Sequence, residues 1–378
     1  MIKTFKEAIE NLFKNEIIKD YSLEKIKKAT KLLWNPENDF KIIHVAWTNW
    51  KGSVSKMVFS VLKEAWKKVW VFTSPHLIDI RERFETDSGL ITESDFVEIL
   101  NRILDLKIDL SYFDKCVLIA LLYFQKSKCE YVVLEVGFWW LLDTTNIVTP
   151  TITTITSIWY DHEDFLWNTL EEISYQKAWI IKPWIPVVLN HHNEVIENIA
   201  LEKNASVIFT DKRIKTNLIW NHQEQNAVLA FEICKYLWIS EPIILEWLQK
   251  VKHLWRLQFL SDNLLIDWAH NRESLISLKE YIDDNLAEKF DNIYHCIWLK
   301  KWKDINLIYN IFWKTQNYIW VDFNSEMLED LSKIGNIELI KVENIKKLSQ
   351  KNKNNLYVVF GSLYMVGEFL KQETPFFN

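Results

Sequence analysis

Apolar residues recur along this chain in two patterns, short continuous runs and longer stretches with helical spacing. The short runs are rich in Val, Ile and Thr, as buried strands are, and include KIIHVAW, KVWVFTS, EYVVLEVGF, TPTITTITSI and IPVVLN. Helical spacing marks the stretches ESDFVEILNRIL, FDKCVLIALLYFQKS, TLEEISYQKAWII and NHQEQNAVLAFEICKYL. Strands and helices therefore alternate, which predicts an α/β fold with mostly parallel sheets.

The alternation starts again after about residue 253. New strand-like runs follow there, namely NLLIDWAH, NIYHCIWL, NYIWVDF, IELIKV and LYVVFGS. We therefore predict two α/β domains, residues 1–253 and a smaller one over residues 254–378, with the boundary near VKHLWRLQ. In such folds ligands bind at the carboxyl ends of the strands.

Composition and charge narrow the class of protein. Apolar residues make up 49% of the chain and charged residues 25%, and a net charge of −6 without a basic run argues against nucleic acid as a partner. No apolar run is long enough to span a membrane, and the charged, amphipathic helix expected over MIKTFKEAIENLFKNEIIKDY lacks the apolar core of a signal peptide. The four cysteines lie far apart, without the spacing of a disulfide framework or a metal site. We expect a reduced, cytoplasmic chain with no membrane partner.

The abundance of tryptophan and glycine is abnormal. The chain has 20 tryptophans and only 6 glycines, and the two together make up about 7% of it, the usual share of glycine alone. Trp66 and Trp238 each follow a predicted helix, and Trp34 lies between a helix and an Asn-Pro turn. A left-handed residue, usually glycine, is favoured at such helix ends. We therefore hypothesise that UGA codons for glycine have been translated as tryptophan. The alternative is a protein with many genuine tryptophans.

The segment HVAWTNWKGSVS, which begins at His44, has a strand before it and a helix after it. With glycine at Trp47 and Trp50 it becomes strand, GTNGKGS, helix, the setting of a phosphate-binding loop. Lys51 would then reach the β- and γ-phosphates, and Ser53 would offer its hydroxyl to Mg²⁺. As written, KGS alone is weak and more often belongs to an ordinary turn.

Other polar residues lie near strand ends and have structural alternatives. Glu135 ends YVVLE and suits Mg²⁺, but it equally suits a cap or an ion pair. His162 follows a strand and Lys177 lies on a predicted helix, where a structural histidine and a surface lysine are the usual readings. Asp267 and His270 belong to a polar cluster after a strand of the second domain, for which a turn with an Asn cap is the alternative.

Taken together, these segments resemble the folylpolyglutamate synthase/dihydrofolate synthase family of the Mur ligase superfamily. The resemblance covers nearly the whole chain and rests on a dozen ordered motifs, HVAWTNWKGSVS, VFTSPHL, RERF, LSYFD, LEVGFWWLLDTTN, SIWYDHEDFLWNTLEEI, KAWIIKPW, HQEQNA, LWRLQ, DWAHN and GSLY among them. Where these family motifs carry glycine, this chain usually carries tryptophan. The implied fold is a P-loop-type ATPase domain with a mostly parallel sheet, followed by a smaller Rossmann-like α/β domain.

The resemblance also implies roles for individual residues. It implies a nucleotide site formed by Thr48, Asn49, Lys51, Gly52, Ser53, Asn226, Arg256 and Asp267. It implies Mg²⁺ ligands at Ser53, Glu135 and His162, and a loop near the pteroate substrate at Ser74, Pro75 and His76. Catalytic roles are implied for Lys51, Lys177, Arg256 and His270, and Lys177 resembles the lysine that is carbamylated in the superfamily.

The implied reaction is ATP-dependent amide formation between a folate or pteroate carboxylate and L-glutamate, by a monomeric enzyme with Mg²⁺. Leu141 stands where the family has arginine, Gln176 replaces the usual acid before Lys177, and Arg272 replaces a proline. These departures bear on substrate preference, dihydropteroate or tetrahydrofolate, more than on the reaction. Two alternatives remain, a Mur ligase acting on a UDP-muramoyl substrate and, if the tryptophans are genuine, a catalytically dead nucleotide-binding homologue.

Overall fold

The structure is a computed structural model that describes residues 1–15, 22–46, 51–137, 142–156, 158, 169–218, 221–251, 257–298, 305–312, 317–322 and 339–371. The chain divides into two compact units, Met1–Lys252 and His253–Asn378. The predicted domain boundary after residue 253 lies beside this division. Among the described residues, no helix is both long enough and apolar enough to cross a membrane.

The first unit contains one large sheet. Its strands are β1 (Lys41–Ala46), β2 (Val69–Phe72), β3 (Phe84–Thr86), β4 (Gly89–Leu90), β5 (Tyr131–Glu135), β6 (Ile152–Ile155), β7 (Val187–Leu189) and β8 (Val207–Phe209). They lie in the order β4-β3-β2-β5-β1-β6-β7-β8. The pairings from β2 through β8 are parallel, whereas β3 and β4 are antiparallel to their neighbours.

Helices cover both faces of this sheet. They are α1 (Phe5–Leu12), α2 (Glu24–Leu32), α3 (Lys51–Glu64), α4 (Glu93–Leu104), α5 (Tyr112–Lys126), α6 (Leu170–Ala178), α7 (Glu194–Glu202), α8 (Asn221–Tyr236) and α9 (Glu241–Leu248). One buried core joins α1, α2, α4 and α5 to the sheet, and a second joins α3, α8 and α9 to it. Adjacent residues of one strand enter different cores, Ile42 the first and Ile43 the second, because side chains alternate across a strand.

The second unit contains a sheet of its own, with helices between its strands. The strands are β9 (Gln258–Ser261), β10 (Leu264–Ile266), β11 (Asn292–Ile297), β12 (Tyr318–Asp322), β13 (Leu339–Lys341) and β14 (Asn355–Phe360). The helices are α10 (Arg272–Asn285), α11 (Ile305–Phe312), α12 (Val342–Lys351) and α13 (Leu363–Lys371). The order is β13-β12-β11-β14-β10-β9, and only β9 pairs antiparallel. The predicted α/β class with mostly parallel sheets is confirmed.

Some local expectations differ from the structure. The N-terminal segment, expected as one helix over its first 21 residues, forms α1 only as far as Leu12 and then a short 3₁₀ turn over Phe13–Asn15. Thr4 is the N-cap of α1 and forms a capping box with Glu7. The β3–β4 hairpin and the edge strands β8 and β9 were not predicted, because two to four residues are too short a stretch to show a hydrophobic period.

Candidate active site

The predicted phosphate loop lies between β1 and α3. β1 ends at Ala46 and α3 begins at Lys51, so the strand and the helix stand on either side of residues 47–50 as the motif requires. β1 is an inner strand, paired with β5 on one side and β6 on the other. Residues 47–50, which include Thr48 and Asn49, and the side chain of Lys51 lie outside the described residues.

A buried chain of side-chain hydrogen bonds connects the start of α3 to α8. The Gln223 amide nitrogen donates to Ser53 Oγ at 3.1 Å, and Asn226 Nδ2 donates to Gln223 Oε1 at 3.2 Å. All three side chains are buried. Because a serine hydroxyl has two acceptor lone pairs and a donor, Ser53 keeps the capacity to bind a further group. The structure therefore connects two of the predicted nucleotide-site residues, Ser53 and Asn226, through Gln223, which sequence reasoning missed although it lies in the quoted motif HQEQNA.

Glu135 is the last residue of β5 and holds a loop that follows β2. Its Oε2 accepts a hydrogen bond from the backbone N–H of Ser74 at 2.9 Å, and both residues are buried. Glu135 is paired in register with Val45, one residue before β1 ends. Glu135 and the predicted phosphate loop therefore lie at the carboxyl ends of neighbouring parallel strands, where ligands of α/β folds bind.

A second buried carboxylate holds the backbone directly after the predicted pteroate loop. Glu82 accepts hydrogen bonds from the backbone N–H groups of Leu77, Ile78 and Asp79, each at 2.8 Å. Burial raises the pKa of Glu82, and the hydrogen bonds from these backbone groups oppose that shift. Glu82 belongs to the RERF motif, but its role in shaping the loop depends on tertiary contacts and was not predicted.

Ser74, Pro75 and His76 differ in exposure. Ser74 is buried, Pro75 is exposed, and the Ser74–Pro75 peptide bond is cis. Arg83 Nε donates to His76 Nδ1 at 2.9 Å. Burial, with a further contribution from the Arg83 charge, lowers the pKa of His76 to about 4, so this imidazole is neutral at pH 7 and its Nδ1 is an acceptor.

A buried polar network connects His44 on β1 to Asp143 and Thr145. Thr145 Oγ1 donates to Asp143 Oδ1 at 2.5 Å, and His44 Nε2 on β1 is 3.0 Å from Thr145 Oγ1. Since that hydroxyl proton is given to Asp143, His44 Nε2 carries the proton and donates. Burial lowers the pKa of His44 to about 3, so it is neutral at pH 7. Gly137 packs closely against this network, and a larger residue does not fit there. A Cβ at this position would lie 2.9 Å from Asp143 Oδ2 and 2.4 Å from the Phe113 ring.

Lys177 is completely buried in the last turn of α6. The usual reading of a surface helix lysine is therefore wrong. Five residues later Lys182 Nζ donates to the carbonyl and side-chain oxygens of Asn146 at 3.0 and 2.7 Å, and burial lowers its pKa to about 8.

The candidate residues of the second unit gather after β10. Asp267 is buried and accepts hydrogen bonds on both oxygens, from the backbone N–H of Ala269 at 2.7 Å and from that of Leu257 at 2.9 Å. His270 Nδ1 donates to the carbonyl of Trp268 at 2.9 Å. Asn271 Oδ1 caps α10 by accepting from Ser274 N, so the Asn cap considered from the sequence is present.

Several predicted residues fall outside the described part of the chain. These are the proposed Mg²⁺ ligand His162, the catalytic candidate Arg256 and the departure at Leu141. Gln176 precedes Lys177 on α6, and Arg272 begins α10. Within the described ranges, no group of three or more His, Cys, Asp and Glu side chains comes together as a metal site. The oxygen donors Ser53 and Glu135 are of the type that Mg²⁺ prefers.

Comparison with known proteins gives a consistent family match. The family described as Mur ligase middle domain matches residues 45–243, which include Ser53, Glu135, Lys177 and Asn226. The dihydrofolate synthase/folylpolyglutamate synthase of Bacillus subtilis is 32% identical over 254 residues, a match that covers 57% of this chain and 59% of that protein. The chain thus matches less than two thirds of that relative's length.

Two solved structures share the fold over almost their full length. A folylpolyglutamate synthase from Thermotoga maritima aligns with a TM-score of 0.85 at 26% identity, covering 98% of this chain and 97% of its own. A bifunctional folylpolyglutamate synthase/dihydrofolate synthase from Yersinia pestis, complexed with AMPPNP and a Mn ion, aligns with a TM-score of 0.86 at 22% identity, covering 98% of each chain. Because the Yersinia pestis protein is 22% identical to this chain, its similarity shows that the two proteins share a fold.

Proposed function

This chain belongs to the Mur ligase family, and from that membership we propose that it is an ATP-dependent ligase that joins L-glutamate to the carboxylate of a folate or dihydropteroate. The observation that carries the proposal is the arrangement at the carboxyl ends of β1 and β5. There Ser53, in the first turn of α3, belongs to a buried network, and Glu135 accepts a hydrogen bond from the backbone of Ser74. We infer from this arrangement that the nucleotide site and the substrate loop would lie at the ends of neighbouring strands.

The chemistry asks the protein mainly to position groups and to neutralise charge. The substrate carboxylate oxygen attacks the γ-phosphorus of ATP, the bond to the β,γ-bridging oxygen breaks, and ADP leaves as an acyl phosphate forms. The amine of L-glutamate then attacks the acyl carbon, and inorganic phosphate leaves as the amide forms and the amine loses its proton. Lys51 would counter the charge that develops on the phosphoryl oxygens, and the family resemblance implies nucleotide-binding or catalytic roles for Arg256, Asp267 and His270.

The residues present fit a divalent cation. Ser53 supplies a hydroxyl and Glu135 a carboxylate, both hard oxygen donors suited to Mg²⁺, and His162 would complete the set. When bound, Mg²⁺ would neutralise charge on the ATP phosphates. Thr48, Asn49 and Gly52 would surround the phosphates with backbone N–H groups, and Asn226 would lie toward the base.

Lys177 is proposed to carry a carbamate. Its side chain is completely buried, and a carbamate would form when the lysine nitrogen bonds to the carbon of carbon dioxide and gives up its proton. The product is a carboxylate on a long side chain, a group that suits a magnesium site. Intact-mass measurement of the native protein under bicarbonate tests this, and a Lys177→Met variant that keeps the added mass would disprove it.

The substrates also bear on cellular context. ATP and L-glutamate are cytoplasmic metabolites, which supports a cytoplasmic location. A monomer is proposed from the family resemblance. Sedimentation of the purified protein measures the oligomeric state directly.

The function is tested by coupled measurement of ADP release. The assay uses the chain with Trp47→Gly and Trp50→Gly, which removes two indoles from the phosphate loop, and offers L-glutamate with dihydropteroate, tetrahydrofolate or a UDP-muramoyl acceptor. We expect ADP release that requires a pteroate-type acceptor and glutamate, and Lys51→Ala should lower it by at least about 1000-fold.

Other outcomes would exclude this reading. ADP release only with the UDP-muramoyl acceptor would favour the Mur ligase alternative. ATP binding without release on any acceptor would favour a catalytically dead homologue. Undiminished turnover in Lys51→Ala would show that the loop is not the phosphate site.

A further inference from the structure

Tryptophan occupies four backbone positions of the kind that favour glycine. Trp34, Trp66, Trp184 and Trp238 have φ angles of 69°, 58°, 66° and 64°. This left-handed region is uncommon for residues with a Cβ and is a marked outlier for bulky ones. Among the described residues, four of the nine non-glycine residues with positive φ are tryptophans. A random scatter of tryptophans along the chain does not explain that share.

Two of these tryptophans end helices with a complete Schellman motif. After α3, the N–H of Trp66 donates to the Lys63 carbonyl, and the next N–H, that of Lys67, donates to the Leu62 carbonyl, both at 3.0 Å. After α8, the N–H groups of Trp238 and the following residue make the same pair of bonds, again at 3.0 Å. The left-handed residue of this motif is usually glycine.

The remaining two positions, Trp34 and Trp184, also lie in backbone motifs that favour glycine. After α2, Trp34 donates to the Lys31 carbonyl at 3.3 Å and the following N–H reaches the Thr30 carbonyl at 2.8 Å, a third Schellman motif. Trp184 follows Pro183 in a turn closed by a 3.1 Å bond from Ile185 N to the Lys182 carbonyl. Proline second and a positive φ third define a type II turn, whose third residue is glycine or asparagine.

The same four indoles are exposed to solvent. Their relative exposures are 84%, 94%, 74% and 94% for positions 34, 66, 184 and 238. A buried aromatic would gain packing energy that offsets an unfavourable backbone, but these side chains gain little. Each position therefore combines an unfavourable conformation with an exposed apolar ring.

Two other helix ends show what the fold accepts in the same motif. Lys128 and Asn204 have φ angles of 58° and 52°, and the N–H groups that follow them donate to the Phe124 and Ala200 carbonyls. Both side chains are polar and hydrate readily at the surface, and asparagine tolerates the left-handed region. Tryptophan has neither property.

We propose that the natural polypeptide carries glycine at positions 34, 66, 184 and 238, encoded by UGA codons that are read as glycine in the cells that make it. UGA and the glycine codon GGA differ only in the first base. One cause then accounts for the geometry and for the 20 tryptophans beside 6 glycines. The same codon assignment would place glycine at positions 47 and 50 of the phosphate loop. The proposal itself is argued from the backbone geometry of the four positions and does not rest on the proposed function.

The direct test reads the gene and the protein. We expect UGA at all four codons and, in peptides of the protein purified from its own cells, the mass of glycine at positions 66 and 238. UGG at any of the four codons, or a peptide with tryptophan at either position, would overturn the proposal. Neither measurement depends on enzymatic activity, so a failure of the proposed ligase function leaves this test intact.

A second test measures the backbone effect in the folded chain. The four-site variant Trp34→Gly, Trp66→Gly, Trp184→Gly, Trp238→Gly should melt roughly 10 °C or more above the chain as written. The matched four-site alanine variant removes the indoles but keeps each Cβ, so it should gain clearly less. Lys128→Gly measures how much the melting temperature rises when glycine replaces a polar residue at one equivalent helix end. Equal melting of the glycine and alanine variants would show that φ does not demand glycine at these positions.

Discussion

Two carboxylates occupy corresponding places in the two sheets but hold different parts of the molecule. Glu135 ends β5 of the first unit and holds the backbone of Ser74, in a loop that follows a different strand. Asp267 directly follows β10 of the second unit and accepts from Ala269 and Leu257 with its two oxygens. An acid after a buried strand therefore predicts a polar site, but its partners decide whether it supports a ligand loop or the local backbone.

The first prediction separates two roles of Glu135, which are to hold the Ser74 backbone and to supply negative charge to a magnesium site. Glu135→Gln retains an oxygen that can accept from Ser74 N but removes the negative charge that a magnesium site needs. We expect turnover to fall by at least about 100-fold while the melting temperature stays within roughly 2 °C. ADP-release kinetics and thermal melting measure the two quantities. A variant with full turnover would remove Glu135 from the candidate site.

Substitution of Asp267 should lower stability, whereas Glu135→Gln should leave it nearly unchanged. Asp267→Asn turns one acceptor into an amide donor facing a backbone N–H that it cannot satisfy. We expect the free energy of unfolding of the second unit to fall by about 1–3 kcal/mol. Urea unfolding followed by circular dichroism measures it, with Asp262→Asn on an exposed turn as the control. Unchanged stability would mean that Asp267 is not a backbone anchor.

Buried histidines extend the comparison to pH. Burial lowers the pKa of His44 on β1 to about 3 and that of His295 on β11 to about 4. Since the folded pKa lies below the usual 6.5, the stabilisation is present above pH 6.5 and is lost as the pH falls toward the folded pKa. Because of His44, we expect the free energy of unfolding to fall by about 2 kcal/mol between pH 7 and pH 5.

His44→Gln tests that value, because glutamine can still donate to Thr145 but does not titrate in this range. The variant should lose less stability than the parent between pH 7 and pH 5 in urea unfolding. His295→Gln is the matched variant in the second unit. An identical pH dependence in His44→Gln and the parent would show that His44 is not held neutral.

The contact between α3 and α8 should act on nucleotide binding. Gln223→Ala removes the donor to Ser53 and the acceptor for Asn226, so the KM for ATP should rise about tenfold, a cost of about 1.4 kcal/mol. Gln223→Glu keeps the acceptor for Asn226 but loses the donor to Ser53 and adds a negative charge, so its KM for ATP should rise at least as much. If the glutamate variant behaves like the parent, the contact with Ser53 does not set the affinity.

The smallest effect is expected at the substrate loop. Glu82→Gln replaces one of the oxygens that accept from backbone N–H groups, so the loop should loosen and the KM for the pteroate substrate should rise about threefold with the KM for ATP unchanged. Glu10→Gln, which changes an exposed carboxylate on α1, is the control. A rise in both KM values would point to a general change in the first unit.

The parts predicted from sequence are those with a long local signal. ESDFVEILNRIL was predicted as a helix and forms α4 over the same residues, Glu93–Leu104, because its apolar face repeats over three turns. The strands before and after α3 were likewise predicted from continuous apolar runs. β4, which has two residues, carries no such period, and its pairing with β3 is decided by the antiparallel turn between them.

The candidate site divides in the same way. Ser53 and Glu135 were predicted from motif and strand position, and Lys177 from resemblance. Gln223 and Glu82 were not predicted, because each acts through partners that are distant or that belong to the backbone. No local pattern distinguishes a glutamine that reaches across 170 residues of sequence from one on a helix surface.

By itself, the sequence determined the alternation of strands and helices, the family, the excess of tryptophan over glycine and the helix ends at Trp66 and Trp238, since these depend on short-range periodicity and composition. Only the tertiary structure decided which polar groups meet. Burial made Lys177 a candidate for modification rather than a surface residue, and strand pairing brought Glu135 beside the end of β1. The backbone angles turned an unusual composition into a specific statement about four residues, because left-handed geometry excludes most side chains and admits glycine without strain.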